Sequence, residues 1–260
     1  MHNCLLLLAA LVFLPFTVGQ APFDLYKLSL RWPPSECNIG QLKCTPTVLN
    51  YWVIHGIWPT YENNTAVPQY DKTKNSCAHN PTKENQIKAK LSSIKNTLTQ
   101  FWPSLRNYAK DKTNLKDWIH EWKFHGQCSD YPTDPLSYFN SALSLRRKND
   151  LAGTRIQPRE EPYQAKEIVD AVKQILGATP EITCNTHRPS GMIQLREVRM
   201  CFKRAKPPTE PRDCPIQFSG TCNKESDHIR VPPAPSPGHS QVPWLPINIF
   251  LLAFCLGIVI

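Results

Sequence analysis

Eight cysteines run through the body of this 260-residue chain, and they constrain its fold more than any other feature: Cys37, Cys44, Cys77, Cys128, Cys184, Cys201, Cys214 and Cys222. Two more, Cys4 and Cys255, fall in apolar end segments. No pair has Cys-x-x-Cys spacing, which argues against a structural zinc site. In an oxidising compartment an even count reads as four disulfides. Counting alone leaves on the order of a hundred connectivities open.

Both ends agree with that compartment. An apolar run from Leu5 to Phe16 is followed by the small residues Thr17 and Gly19 at the spacing of a cleavage site. Residues 1–19 are therefore expected to be a signal peptide, and 20–230 a single folded domain large enough to bury a core. Residues 231–243 read as a Pro-rich linker. Residues 244–260 form an apolar tail, the pattern of a lipid-anchor attachment signal or a short membrane segment. The sequon Asn63-Asn64-Thr65 makes Asn63 a glycosylation candidate on a surface loop. The formal net charge is +9, with basic residues spread along the chain. Such a surface favours polyanionic partners without specifying a fold.

Hydrophobic periodicity organises the body. Phe23, Leu25, Lys27, Ser29 and Arg31 alternate with Asp24, Tyr26, Leu28, Leu30 and Trp32, a strand pattern ended by Pro33-Pro34. Tyr51 to Trp58 is aromatic and β-branched, as a buried strand should be, with Pro59 expected to stop it. Ile87, Leu91, Ile94 and Leu98 recur at helical steps, predicting one helix that ends by Trp102. Further helices are predicted at about 115–126, with Thr113 or Asn114 as cap and Gly126 as stop, at 135–148, and at 165–176. In the last of these Ile168, Val172 and Ile175 share a face. Met192 to Lys203 reads as a closing strand. Irregular interleaving without βαβ repeats predicts an α+β domain, a mainly antiparallel sheet packed with several helices.

The segment His120-Glu-Trp-Lys-Phe-His125-Gly-Gln-Cys128 carries the chemistry. Its two histidines lie five residues apart, about 140° around a helix, too far to share one metal ion. No metal or cofactor is expected. Glu121 and His125 lie one turn apart on one face, where a carboxylate can support an imidazolium, and His120 flanks that face. A second histidine, His55, sits inside an otherwise apolar strand. Gly56 beside it permits close backbone approach, and Trp58 with Pro59 supplies a rigid aromatic wall. Two histidines from separate elements, a carboxylate and an aromatic ring suit RNA cleavage. The 2′-hydroxyl must lose a proton, the 5′-oxygen must gain one, and a base can stack on Trp58. His79, His187, His228 and His239 show no comparable partners and are expected at the surface.

Ile54-His-Gly-Ile-Trp-Pro59 and the segment 120–128 resemble the two signature segments of the ribonuclease T2 family, and the resemblance extends from Phe23 to Cys222. It implies an α+β domain with four disulfides and RNA cleavage through a 2′,3′-cyclic phosphate. Carried over, His55 and His125 are the general acid–base pair, Glu121 supports the transition state, His120 binds phosphate and Trp58 lines a base site. The implied disulfides are Cys37–Cys44, Cys77–Cys128, Cys184–Cys222 and Cys201–Cys214. The implied protein is a secreted, cell-surface or acidic-organelle monomer acting on single-stranded RNA, with the apolar tail as a route to membrane attachment. Phe124 departs from the family, which has lysine there, and Gln127 stands where Thr or Ser is usual. A catalytically weakened RNA-binding or signalling protein of the same fold is the alternative. Replacing His55 or His125 by Phe is predicted to lower RNA cleavage about 10²–10⁴-fold with the fold preserved. Near-full activity in either variant, by an RNA-release assay, would exclude the two-histidine mechanism.

Overall fold

Alternation in the first segment sorts side chains onto the two faces of β1 (Leu25–Arg31), and nearly every one of them is buried. β1 lies antiparallel between β2 (Val53–Thr60) and β5 (Ile193–Lys203). Beyond β5 comes β4 (Glu181–Thr186), which pairs in parallel with β7 (Phe218–Gly220), while β6 (Pro211–Arg212) flanks the end of β5. Directly opposed residues share a face of a sheet. One face of the three central strands is apolar, with Tyr26, Leu28 and Leu30 opposite Phe202, Met200 and Val198. The other carries Lys27, Ser29 and Arg31 opposite Cys201, Arg199 and Glu197. β5 is thus the centre of the sheet, where the sequence suggested a closing strand.

The computed structural model describes residues 22–44, 47–77, 81–106 and 111–235. The expected signal peptide and apolar tail lie outside them, as do His79 and His239. Among the described residues no helix is long and apolar enough to cross a membrane. Six α-helices among these residues accompany the sheet: α1 (Pro33–Cys37), α2 (Glu84–Leu91), α3 (Lys95–Phe101), α4 (Asp111–Phe124), α5 (Pro135–Lys148) and α6 (Ala165–Leu176). A two-stranded ribbon of β3 (Tyr163–Gln164) and β8 (His228–Ile229) completes the α+β architecture. The large rings of Trp102, Trp118, Trp122, Tyr138 and Phe139 join the apolar face of the sheet in one core.

α5 and α6 span the residues that periodicity predicts. Asp134 caps α5 by accepting the Ser137 N–H at 3.1 Å, and Gly177 ends α6 in the left-handed conformation, φ 77°. Within α6 the buried face is Ile168, Val169, Val172 and Leu176, whereas Ile175 is exposed. The helix expected from Ile87 to Trp102 is two helices, broken by a 3₁₀ turn at Ser92–Ile94 that keeps Ile87, Leu91 and Leu98 buried. α4 begins at Asp111, so neither Thr113 nor Asn114 is its cap. Asn114 is buried and accepts the Ser104 N–H at 2.8 Å. The strand expected to stop at Pro59 continues to Thr60. β2 lies at a margin of the sheet, the one place where a residue without an N–H is tolerated inside a strand.

Among the described residues four disulfides join Cys37 to Cys44, Cys77 to Cys128, Cys184 to Cys222, and Cys201 to Cys214. Cys77–Cys128 ties the turn after α4 to the segment following β2. Val231 and Pro232, which the sequence places in the linker, belong to the fold. Val231 is buried, and the Pro232 carbonyl accepts the Trp32 indole N–H at 2.8 Å.

Candidate active site

A β-bulge presents His55. Pairing with β1 jumps from Ser29–Gly56 to Leu30–Ile54 and leaves His55 as the extra residue. Its carbonyl accepts the Trp102 indole N–H at 3.0 Å, and the Trp102 carbonyl accepts that of Trp118, on α4, at 2.8 Å. The indoles thereby join the bulge to the helix whose last residue precedes the second histidine. The His55 ring donates from Nδ1 to Glu197 Oε1 at 2.6 Å, which leaves Nε2 free of that contact.

Glu197 is almost wholly buried, 1 % exposed, and burial alone would raise its pKa. The adjacent His55, Arg199 and Arg196 outweigh that cost and hold the carboxyl well below the usual carboxylate range. Glu197 Oε2 also accepts from Ser29 Oγ at 3.1 Å and from Arg199 Nε and Nη2 at 3.0 and 2.8 Å. Arg199 continues to Glu181 Oε1 at 2.8 Å, and Lys27 Nζ closes the row on Glu181 Oε2 at 2.5 Å. These charges occupy the polar face of the central strands.

Glu121, on α4, is buried, and desolvation raises its pKa against the opposing pull of His55, the Trp58 hydrogen bond, Arg31 and His120. Trp58 Nε1 donates to Glu121 Oε2 at 3.2 Å across the face of Gly56. A Cβ on Gly56 would lie 2.2 Å from Trp58 Nε1 and 2.5 Å from Glu121 Oε2, so glycine is required for that contact. α4 ends at Phe124, and the His125 N–H still bonds the Glu121 carbonyl at 2.9 Å. Gly126 is needed because a Cβ there would lie 2.2 Å from the Trp122 ring.

The His125 ring lies 5.6 Å from Trp58, and Trp58 lies 5.2 Å from His55. The fold therefore brings His55, Trp58, Glu121 and His125 into one cluster. His125 has no carboxylate partner like that of His55, and its Nδ1 is buried without a hydrogen bond among the described residues. Desolvation, with repulsion from His55 and His120, pushes its pKa down to about 4. His120 is exposed and stacks beneath Phe124, ring centroids 4.0 Å apart. Lys123 points to α2, where it pairs with Glu84 at 2.5 Å.

A sequence model of the ribonuclease T2 family matches residues 23–214. The chain belongs to the ribonuclease T2 family. It is 31% identical over 232 residues to Ribonuclease 1 of Arabidopsis thaliana, covering 85% of this chain and 94% of the relative. Extracellular ribonuclease LE of Solanum lycopersicum is 32% identical over 208 residues, with coverages of 77% and 84%. Among solved structures, RNase NT in complex with 5′-AMP superposes with a TM-score of 0.64 at 29% identity, covering 81% of this chain and 98% of that one.

Sequence reasoning on this T2 chain missed Glu197 and Arg199. The available signal lay in β5, where Glu197 and Arg199 alternate with Val198, Met200 and Phe202 as charged residues in an otherwise buried strand. His187 and His228 stay outside the cluster. His228 is exposed, and His187 shares a hydrogen bond with Ser190 Oγ at 2.8 Å. Glu197→Gln, which keeps the shape but removes the charge facing His55, is predicted to lower kcat about 10²-fold with little change in KM. It should also move the alkaline limb of the pH–rate profile to lower pH. An unchanged profile would show that Glu197 only packs against His55.

Proposed function

We propose that this T2 ribonuclease cleaves single-stranded RNA with His125 as general base and His55 as general acid. The observation that carries the assignment is the opposite electrostatic setting of the two rings. His55 faces an ionised carboxylate at 2.6 Å, the counter-charge an imidazolium needs. His125, half-buried and without such a partner, is neutral above about pH 4. In the first step His125 takes the 2′-hydroxyl proton as the 2′-oxygen bonds to phosphorus. The P–O5′ bond breaks, and His55 delivers a proton to the departing 5′-oxygen, leaving a 2′,3′-cyclic phosphate. Water reverses the two roles to open that ring. These proton transfers require no metal.

Glu121, held by the Trp58 indole, supports the charge that develops between the rings, and His120 supplies a phosphate contact from the solvent side. Trp58, with the Arg199 guanidinium 5.3 Å from its ring, lines a base site. Family membership places the enzyme in the secretory pathway. There Asn63, exposed and forming a turn with Thr65 through a 3.0 Å bond, is a suitable glycan acceptor. We assign the enzyme as a monomer, with membrane attachment, where it occurs, through residues 244–260.

One observation favours a second reading, weakened catalysis. Phe124 stands where an ammonium would face the phosphate, and Lys123 is engaged by Glu84. A preorganised charge of that kind contributes about 10²–10³ in rate. Phe124→Lys is therefore predicted to raise kcat on RNA at least about tenfold, whereas Lys123→Ala leaves it nearly unchanged. Loss of cleavage in Lys123→Ala, with no gain in Phe124→Lys, would make Lys123 the working cation.

The pH profile tests the assignment itself. Protonation of His125 removes the base, so kcat/KM should fall as pH drops through about 4 and reach its plateau above that. It should fall again on the alkaline side, the second limb of the bell that an acid and a base acting together produce. An acid limb near the free-imidazole value of 6.5 would contradict His125 as the desolvated base.

A further inference from the structure

Phe124 is 39 % exposed, one of only five large apolar side chains so exposed among the described residues, and it adjoins the catalytic cluster. An aromatic ring left in water at a reaction site calls for an occupant. One of its faces is already backed by His120, at 4.0 Å and an interplanar angle of 31°, close to parallel stacking. Its centroid lies 6.4 Å from His125, which on its other contact lies 5.6 Å from Trp58. A row of five rings therefore runs from His55 through Trp58, His125 and Phe124 to His120. Trp58 and Phe124 flank the general base.

We propose that Phe124, backed by His120, is a stacking platform for a second nucleobase of the RNA strand, next to the nucleotide whose base meets Trp58. The inference rests on the ribonuclease reading above and adds a binding subsite to it. Aromatic rings left accessible on either side of the general base can each hold one base of a single strand, since every base offers a π-face. The chain's net charge of +9 keeps the polyanionic backbone close while the rings hold the bases. A phosphate-facing ammonium accelerates the chemical step, whereas a ring in its place holds the strand. This site is thus built for tighter binding of RNA and slower turnover.

Binding is read independently of cleavage with a short RNA whose attacking nucleotide is 2′-deoxy and therefore inert. Two companion strands carry an abasic residue, one on each side of the scissile phosphate. By fluorescence anisotropy, Phe124→Leu should weaken binding of the intact inert strand about fivefold or more, and Phe124→Trp should restore it. The loss should disappear on one of the two abasic strands, the one lacking the base that Phe124 holds. Equal affinity of the Leu and Phe proteins, or the same penalty on all three strands, would overturn the platform. Cleavage of the all-ribose strand by the unaltered protein is measured alongside. Failure of that reaction would refute the ribonuclease reading, while the inert strands still decide the platform.

Discussion

The contact between Glu197 and His55 is the point on which the rest of the site depends. Removing a charge from water costs several kcal/mol, and a protein retains buried charges only where each is answered. Here the signs alternate along the polar face of three strands, from Lys27 to Glu181 to Arg199 to Glu197, with His55 at the open end. The registers of β4, β1 and β5 must all be correct for that row to form. A one-residue slip would turn every one of these charges into the apolar core. His55 therefore reports on the correctness of the whole sheet, and the sheet is specified partly by the residues that hold it.

The helical side contributes in a different way. α4 carries Glu121, with His125 directly after its last residue, but its position against β2 is fixed by indoles: Trp118 on the Trp102 carbonyl, Trp102 on the His55 carbonyl, and Trp58 on Glu121. Tyr138, from α5, adds a 2.5 Å bond to the Ile57 carbonyl. Trp102, Trp118 and Tyr138 each fill the core with the ring and satisfy a backbone carbonyl with the polar edge, while half-buried Trp58 bonds the Glu121 carboxylate. Packing and the geometry of catalysis are then one constraint, and glycine at 56 is where they meet most closely.

Much of this was legible in the residues. Period-two alternation located β1, and the 3.6-residue period located α5 and α6, because both patterns follow from one buried face. It misled where local rules met tertiary context. Pro59 looked like a strand stop because a sequence does not say which strand lies at a margin. Asn114 looked like a cap because its partner, the Ser104 backbone, is ten positions away and fixed only by folding. The histidines and Glu121 stood out through local spacing. Glu197 did not, since its significance comes from a pairing 142 positions distant. The opposite settings of His55 and His125 are likewise invisible in sequence, because burial and counter-charge are properties of the assembled sheet.

The outer side of β2 has a consequence for how such molecules coexist. Its bulge at His55 interrupts the regular ladder, Pro59 offers no donor, and Thr60 is already bridged to Ala66 while Val67 bonds the Pro59 carbonyl. At the opposite margin β7 is three residues long. A strand margin with regular free donors and acceptors templates pairing with other chains. The irregularity that sets His55 apart from the ladder also deprives neighbouring copies of a template, so the placing of the histidine and resistance to aggregation are served by the same distortion.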